Sequence, residues 1–257
     1  MAESFGGDPE RYDRTRPGYP KALLARIIAS SPGRIILDVG CGTGIEARQF
    51  QTADCTVLGV EPDERMADFA NGSGVDVEIA TFEDWDPAGR VFDAVIAGTA
   101  WHWVDPVAGA VKAAQVLRPN GLLAPFHHVF QTPSVVAEAM GAVYQRVVPD
   151  SPLNLSEQLL RSAVTAYQPL FAAIADGMRQ ADAFSEPEQW RFDWTQDYSR
   201  DEWLDQLPTF GGLTQLPQEK LKQIQEATGA AIDDLGGQVT VAYSTIAVTA
   251  IRVADVD

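Results

Sequence analysis

The sequence predicts an α/β fold with a doubly wound, mainly parallel sheet, and three observations carry that expectation. Short β-branched bursts recur along the first half, helix-length segments separate them, and one burst runs into a glycine-rich turn that opens a helix. The bursts are 34–39, 56–60, 76–79 and 92–97, and a fifth, 121–129, follows the turn Arg118-Pro119-Asn120-Gly121. Between them 45–51, 65–70 and 106–117 read as crossover helices, which return each strand parallel to the last. Ahead of the first strand, 12–20 is rich in turn formers and reads as a loop, and 21–29 as a short amphipathic helix.

Past Phe130 the rhythm changes. Residues 132–148 and 156–183 are long helical patterns with no strand between them, 190–197 returns to the sheet, 218–228 reads as a further helix, and 239–253 is a β-branched run suited to a closing strand. The expected organisation is a ligand-binding core with its leading loop and helix over 1–130, an inserted helical lid above the substrate site over 131–187, and a return to the core over 188–257.

A chain of 257 residues, 46% of them apolar, suffices for one large core with an insertion. Its 36 acidic side chains outweigh 19 basic ones for a formal charge of -17, so the average surface repels a polyanion, which argues against nucleic acid as a partner. Two cysteines, Cys41 and Cys55, are too few for a disulfide framework. The polar, acidic start carries no apolar export segment, and no run approaches the roughly 18 apolar residues that would argue a membrane span. A cytoplasmic protein acting on a small molecule, without membrane or metal, is the expectation; the oligomeric state stays open.

The segment Ile35-Ile-Leu-Asp-Val-Gly-Cys-Gly-Thr-Gly44 carries the most chemistry. Glycines at 40, 42 and 44 permit a sharp turn and let backbone approach a ligand, and the helix N-terminus behind them favours an anion. The second strand ends in Val60-Glu61-Pro62, where a carboxylate can accept hydrogen bonds from vicinal ribose hydroxyls, so a nucleoside is expected. A nicotinamide oxidoreductase fits less well, because a dinucleotide fingerprint wants GxGxxG, whereas Ile45 and Glu46 follow here and a buried acid would meet a pyrophosphate badly.

Asp38-Val-Gly-Cys-Gly-Thr-Gly44 resembles motif I of the class I S-adenosylmethionine (SAM)-dependent methyltransferases, with Glu61 at the family's acidic ribose position. Phe92-Asp-Ala-Val95, Val116-Leu-Arg-Pro-Asn-Gly121, the opening 12–20 and Ala100-Trp-His-Trp103 before Asp105-Pro106 are similar to its small-molecule branch, which includes enzymes like trans-aconitate methyltransferase. The resemblance implies a Rossmann-like core binding SAM and releasing S-adenosylhomocysteine, with methyl transfer to a carboxylate, phenol, amine or similar acceptor. It implies that Gly40, Gly42 and Gly44 pass the methionyl part, Glu61 holds the ribose, and Pro62 and Met66 pack on the adenine. Thr81, Phe82 and Glu83 would meet the adenine edge, and Gly98, Thr99 and Ala100 would lie beside the sulfonium. Arg16 would pair with the methionyl carboxylate or else stand solvated, and Asp38 would support the glycine loop through backbone contacts. The alternative within the same binding chemistry is a SAM-binding regulator without transferase activity.

Methyl transfer needs alignment, desolvation and, for a weakly acidic nucleophile, a base. The three histidines, His102, His127 and His128, fall near the carboxyl ends of strands. His102, between Trp101 and Trp103, is the first candidate for a base or orienting group, against the plain alternative of a histidine packed in an aromatic corner; Tyr12, Trp101 and His102 are the substrate-side candidates. His128 is the second candidate base. Adjacent on a strand, His127 and His128 point to opposite faces, so at most one serves the site.

Overall fold

The computed structural model describes residues 2–151 and 163–253. Its centre is a seven-stranded sheet built from β1 (Ile35–Val39), β2 (Thr56–Glu61), β3 (Asp76–Ile79), β4 (Phe92–Gly98), β5 (Leu117–Gln131), β6 (Glu188–Ser199) and β7 (Gln238–Ile251), in the order β3-β2-β1-β4-β5-β7-β6. The first five strands pair in parallel, while β7 runs antiparallel to both β5 and β6. The sheet is therefore mixed at one edge, consistent with a Rossmann-like α/β architecture.

The early helices are α1 (Pro9–Thr15), α2 (Lys21–Ser30), α3 (Ile45–Thr52), α4 (Glu64–Gly72) and α5 (Pro106–Val116). Helix α1 corrects the loop expected at 12–20: Asp8 accepts the Arg11 N–H at 3.0 Å, Pro9 fills the first turn and Glu10 suits the positive helix end. Turn formers thus dominate only from Arg16 to Pro20. Helix α5 is capped by Asp105, which accepts from the N–H groups of Val107 and Ala108. One face of the sheet buries Leu23 and Ile27 of α2 with Phe50 of α3; the other buries Ala110 and Ala113 of α5.

Among the described residues β5 is followed by α6 (Ser134–Val147) and α7 (Ala163–Gln180). The first part of the helical pattern at 156–183 lies outside the described residues. Helix α7 packs on α5 and on the sheet, sending Phe171, Ile174 and Met178 into the same core as Leu37 and Leu123. After β6 comes α8 (Arg200–Gln206), which the sequence pattern did not announce; its capping box pairs Ser199 with Glu202 in both directions. Helix α9 (Gln218–Asp233) packs against α6 and closes a third cluster around Trp203, Tyr198 and Tyr243. Among the described residues no helix is long and apolar enough to cross a membrane.

Because Phe171 is fully buried, Phe171→Ala should cost about 3–5 kcal/mol, read as a lowered urea midpoint at unchanged slope.

Candidate active site

The order of strands turns outward between β1 and β4, with β2 and β3 to one side and β5, β7 and β6 to the other, and a crevice opens at their carboxyl ends. Two segments meet there. The turn after β1 carries Gly40, Gly42 and Gly44, all at positive φ (+66°, +54° and +82°), which L side chains adopt only under strain. A Cβ on Gly40 would come within 2.6 Å of the Ala100 Cβ, so the turn and the segment after β4 press together, whereas Gly42 faces open space.

Glu61, at the tip of β2, joins this turn. Its Oε2 accepts the Gly42 N–H at 2.9 Å and its Oε1 accepts the Asp63 N–H at 2.9 Å, leaving lone pairs on both oxygens. Burial raises its carboxyl above the usual range, and those two N–H groups oppose the rise. Asp38 and Glu46 lie close by, both buried. Among the described residues the Asp38 oxygens have no hydrogen-bond partner, which corrects the expected backbone support of the glycine loop. Desolvation, reinforced by Glu46 and Glu61, holds Asp38 well above an ordinary aspartate and favours its protonated form. Glu46, in the first turn of α3, is pushed up to about 8 by burial, while its own N–H and that of Gly98 favour the charged form.

Past β4, Thr99 adopts φ +56°, a strained conformation for a β-branched residue. Surrounding bonds hold it there: its N–H donates to the Phe126 carbonyl at 2.7 Å, and its Oγ1 lies 2.9 Å from the Tyr19 hydroxyl. Tyr19 in turn stacks on His128, with centroids 4.2 Å apart. Substituting Gly98→Ala would place a Cβ 2.1 Å from Glu46 Oε1 and 2.8 Å from the Tyr19 hydroxyl. We expect a loss of about 1–3 kcal/mol by chemical denaturation.

The cavity so formed is lined by Gly40 and Gly42, by Gly98 and Thr99, by Tyr12 and Arg16 of the opening segment, and by His128. Arg16 lies between the rings of Tyr12 (5.1 Å) and Phe210 (5.0 Å), donates through Nη2 to the Thr209 carbonyl, and keeps a buried Nε without a partner among the described residues. Several expected residues stand elsewhere. Trp101 is buried against Gly109 and Phe82, and surface-lying His102 meets His127 Nε2 through its Nδ1 at 3.1 Å; neither lines the cavity. The reason is local: the turn at Trp101–Trp103 swings both rings onto the face that carries α5 and Phe171. Thr81 bonds Asp84, Phe82 stacks with Trp85, and the Glu83 carboxylate accepts the Asp105 N–H at 3.0 Å. Met66 is buried on α4, and Pro62 is exposed just past Glu61.

Sequence reasoning did not single out Tyr19, Gln206 or Tyr243, which also line the cavity. Tyr19 had a signal, lying in the same Arg-Pro-Gly-Tyr-Pro run as Arg16; the other two arrive from distant elements and had none. Histidines 127 and 128 do point to opposite faces, His127 toward Phe171 and His128 toward Tyr19.

Residues 37–124 match the family model described as a methyltransferase domain. The chain is 33% identical over 125 residues to an uncharacterized methyltransferase of Mycobacterium tuberculosis, covering 48% of this chain and 51% of the relative. It is 31% identical over 128 residues to a ubiquinone biosynthesis O-methyltransferase of Rhizobium leguminosarum, covering 47% and 44%. The chain thus spans about half the length of the curated relatives it matches. A protein of Anaeromyxobacter dehalogenans described as a type II methyltransferase superposes with a TM-score of 0.66 at 23% identity, over 93% of this chain and 98% of that one. Phosphoethanolamine N-methyltransferase 2 of Haemonchus contortus gives 0.54 at 13% identity, over 97% and 58%.

Proposed function

We propose that the chain, whose residues 37–124 match a methyltransferase domain, is a class I SAM-dependent methyltransferase that transfers the methyl group of SAM to a small-molecule acceptor. The observation that carries this reading is the junction of Glu61 with the glycine turn. A carboxylate at the tip of β2 that accepts the Gly42 N–H and keeps lone pairs on both oxygens, at a glycine with open space where a Cβ would stand, suits the two hydroxyls of a ribose.

Residues 40–44 and 61 would hold the adenosyl cofactor, and Arg16 with its free Nε would meet the methionyl carboxylate. When bound, SAM supplies an activated methyl on a sulfonium. The protein's own work is to align and to exclude water: Gly98, Thr99 and Tyr19 form one wall, and Phe130, Tyr167 and Phe210 supply the apolar side on which an acceptor would lie. Tyr167 belongs to α7, which supports the inserted segment 131–187 as a cover for the acceptor.

Calorimetry with S-adenosylhomocysteine and NAD tests the cofactor: binding of the first and none of the second is expected, and the reverse overturns the reading. Labelled SAM incubated with a panel of carboxylates, phenols and amines tests the transfer. Tight cofactor binding with no labelled product across the panel would favour a non-catalytic SAM-binding protein.

A further inference from the structure

His128 stands in a chain of hydrogen bonds that begins on the far side of the sheet's mixed edge. Trp194 Nε1, a nitrogen that can only donate, lies 2.9 Å from Thr245 Oγ1, and that hydroxyl lies 3.0 Å from His128 Nδ1. Thr245 is fully buried and, among the described residues, has no other side-chain hydrogen bond. Having accepted the indole N–H, its single O–H proton has one acceptor within reach, the lone pair on His128 Nδ1. The neutral imidazole therefore carries its proton on Nε2.

The surroundings agree. His128 is packed flat on Tyr19 and edge-on against Trp194 and Tyr243 at 5.4 and 5.7 Å, contacts that hold the plane of the ring, while the Thr245 hydroxyl marks the edge that carries Nδ1. Carbonyls of Gly18 and Pro17 approach the ring, Pro17 having no N–H to offer, yet neither forms a well-made hydrogen bond. Among the described residues Nε2 is buried without a hydrogen-bond partner, and His128 is one of the residues that line the cavity. A buried donor without an acceptor is costly unless something else completes it. Burial also drives the imidazole down to about 3, so the ring stays neutral across the physiological range.

We propose that Trp194 and Thr245 lock His128 in the Nε2–H form, making it a hydrogen-bond donor to a lone pair of the methyl acceptor rather than the base of the reaction. His128 neither takes nor gives up a proton in the transfer; it orients the acceptor. Thr245 and Trp194 act through it and are positioning residues. The role rests on the methyltransferase reading, while the proton's location does not.

Nitrogen NMR of the histidine-labelled full chain at neutral pH tests the lock directly, with and without S-adenosylhomocysteine. A neutral ring protonated at Nε2 is expected, giving way to a mixture of tautomers in Thr245→Val. Protonation at Nδ1, or a charged ring, overturns the proposal. In label transfer to the acceptor panel, His128→Gln keeps an N–H donor but is no base, so it should outpace His128→Ala by about tenfold. Equal loss in both variants, with S-adenosylhomocysteine still bound, would also overturn the donor role. Failure of the wild type to bind the cofactor would sink the functional reading and leave the NMR result standing.

Discussion

Removing the Glu61 carboxylate, as Glu61→Ala, is expected to weaken S-adenosylhomocysteine binding by about a hundredfold or more. Two hydrogen bonds from ribose hydroxyls to a carboxylate are each worth about 1.5–3 kcal/mol, and about 1.4 kcal/mol is a factor of ten in affinity. The loss should exceed that of an ordinary ligand contact for a second reason. Glu61 also accepts the N–H groups of Gly42 and Asp63, so its removal leaves the glycine turn without its anchor on β2. Glu61→Gln separates the two contributions, because one amide oxygen can still accept a backbone N–H while the other position becomes a donor facing a donor. An intermediate affinity is expected for it by titration calorimetry. Unchanged affinity in Glu61→Ala would mean that the adenosyl group sits elsewhere and that the crevice between β1 and β4 serves another ligand.

The glycine turn and its acid were legible because strand-to-helix turns are written locally: Asp38 to Gly44 and Val60 to Pro62 each lie within a few residues of one strand tip. The same holds for the parallel strands, whose β-branched bursts and intervening helices announce crossovers. Helix α1 was hidden because turn formers at 16–20 masked an N-cap at Asp8, and α8 was hidden because its capping box follows directly on a strand. The acceptor side was harder for a different reason. His128 meets Thr245 and Trp194 only after β7 inserts antiparallel between β5 and β6, a pairing that no short pattern encodes. His102 looked better placed than His128 on sequence because it follows a strand between two tryptophans, yet the turn at 101–103 hands it to His127.

The acids beneath the cavity should give the protein a pH profile opposite to that of a chain held by ion-paired carboxylates. Folded, Glu46 keeps its proton until about pH 8, whereas the unfolded chain releases it near 4.5. Between those values the unfolded state is the more ionised, so raising the pH favours unfolding. The stability that the protonated Glu46 contributes is complete below about pH 4.5 and drains away up to about 8; Asp38, raised for the same reason of burial, adds in the same direction. Every pH unit by which the folded carboxyl holds its proton longer than the unfolded one is worth about 1.4 kcal/mol, so Glu46 alone accounts for a few kcal/mol across the window. Glu46→Gln substitutes a neutral side chain of the same shape, able still to accept an N–H, as Gly98 offers one. Its melting temperature should exceed the wild type's at pH 8, by several degrees for a change of a few kcal/mol, with the difference vanishing or reversing near pH 5. Parallel curves for the two proteins from pH 5 to 8 would show that Glu46 ionises freely in the fold, and the case for a neutral floor to this cavity would fall with it.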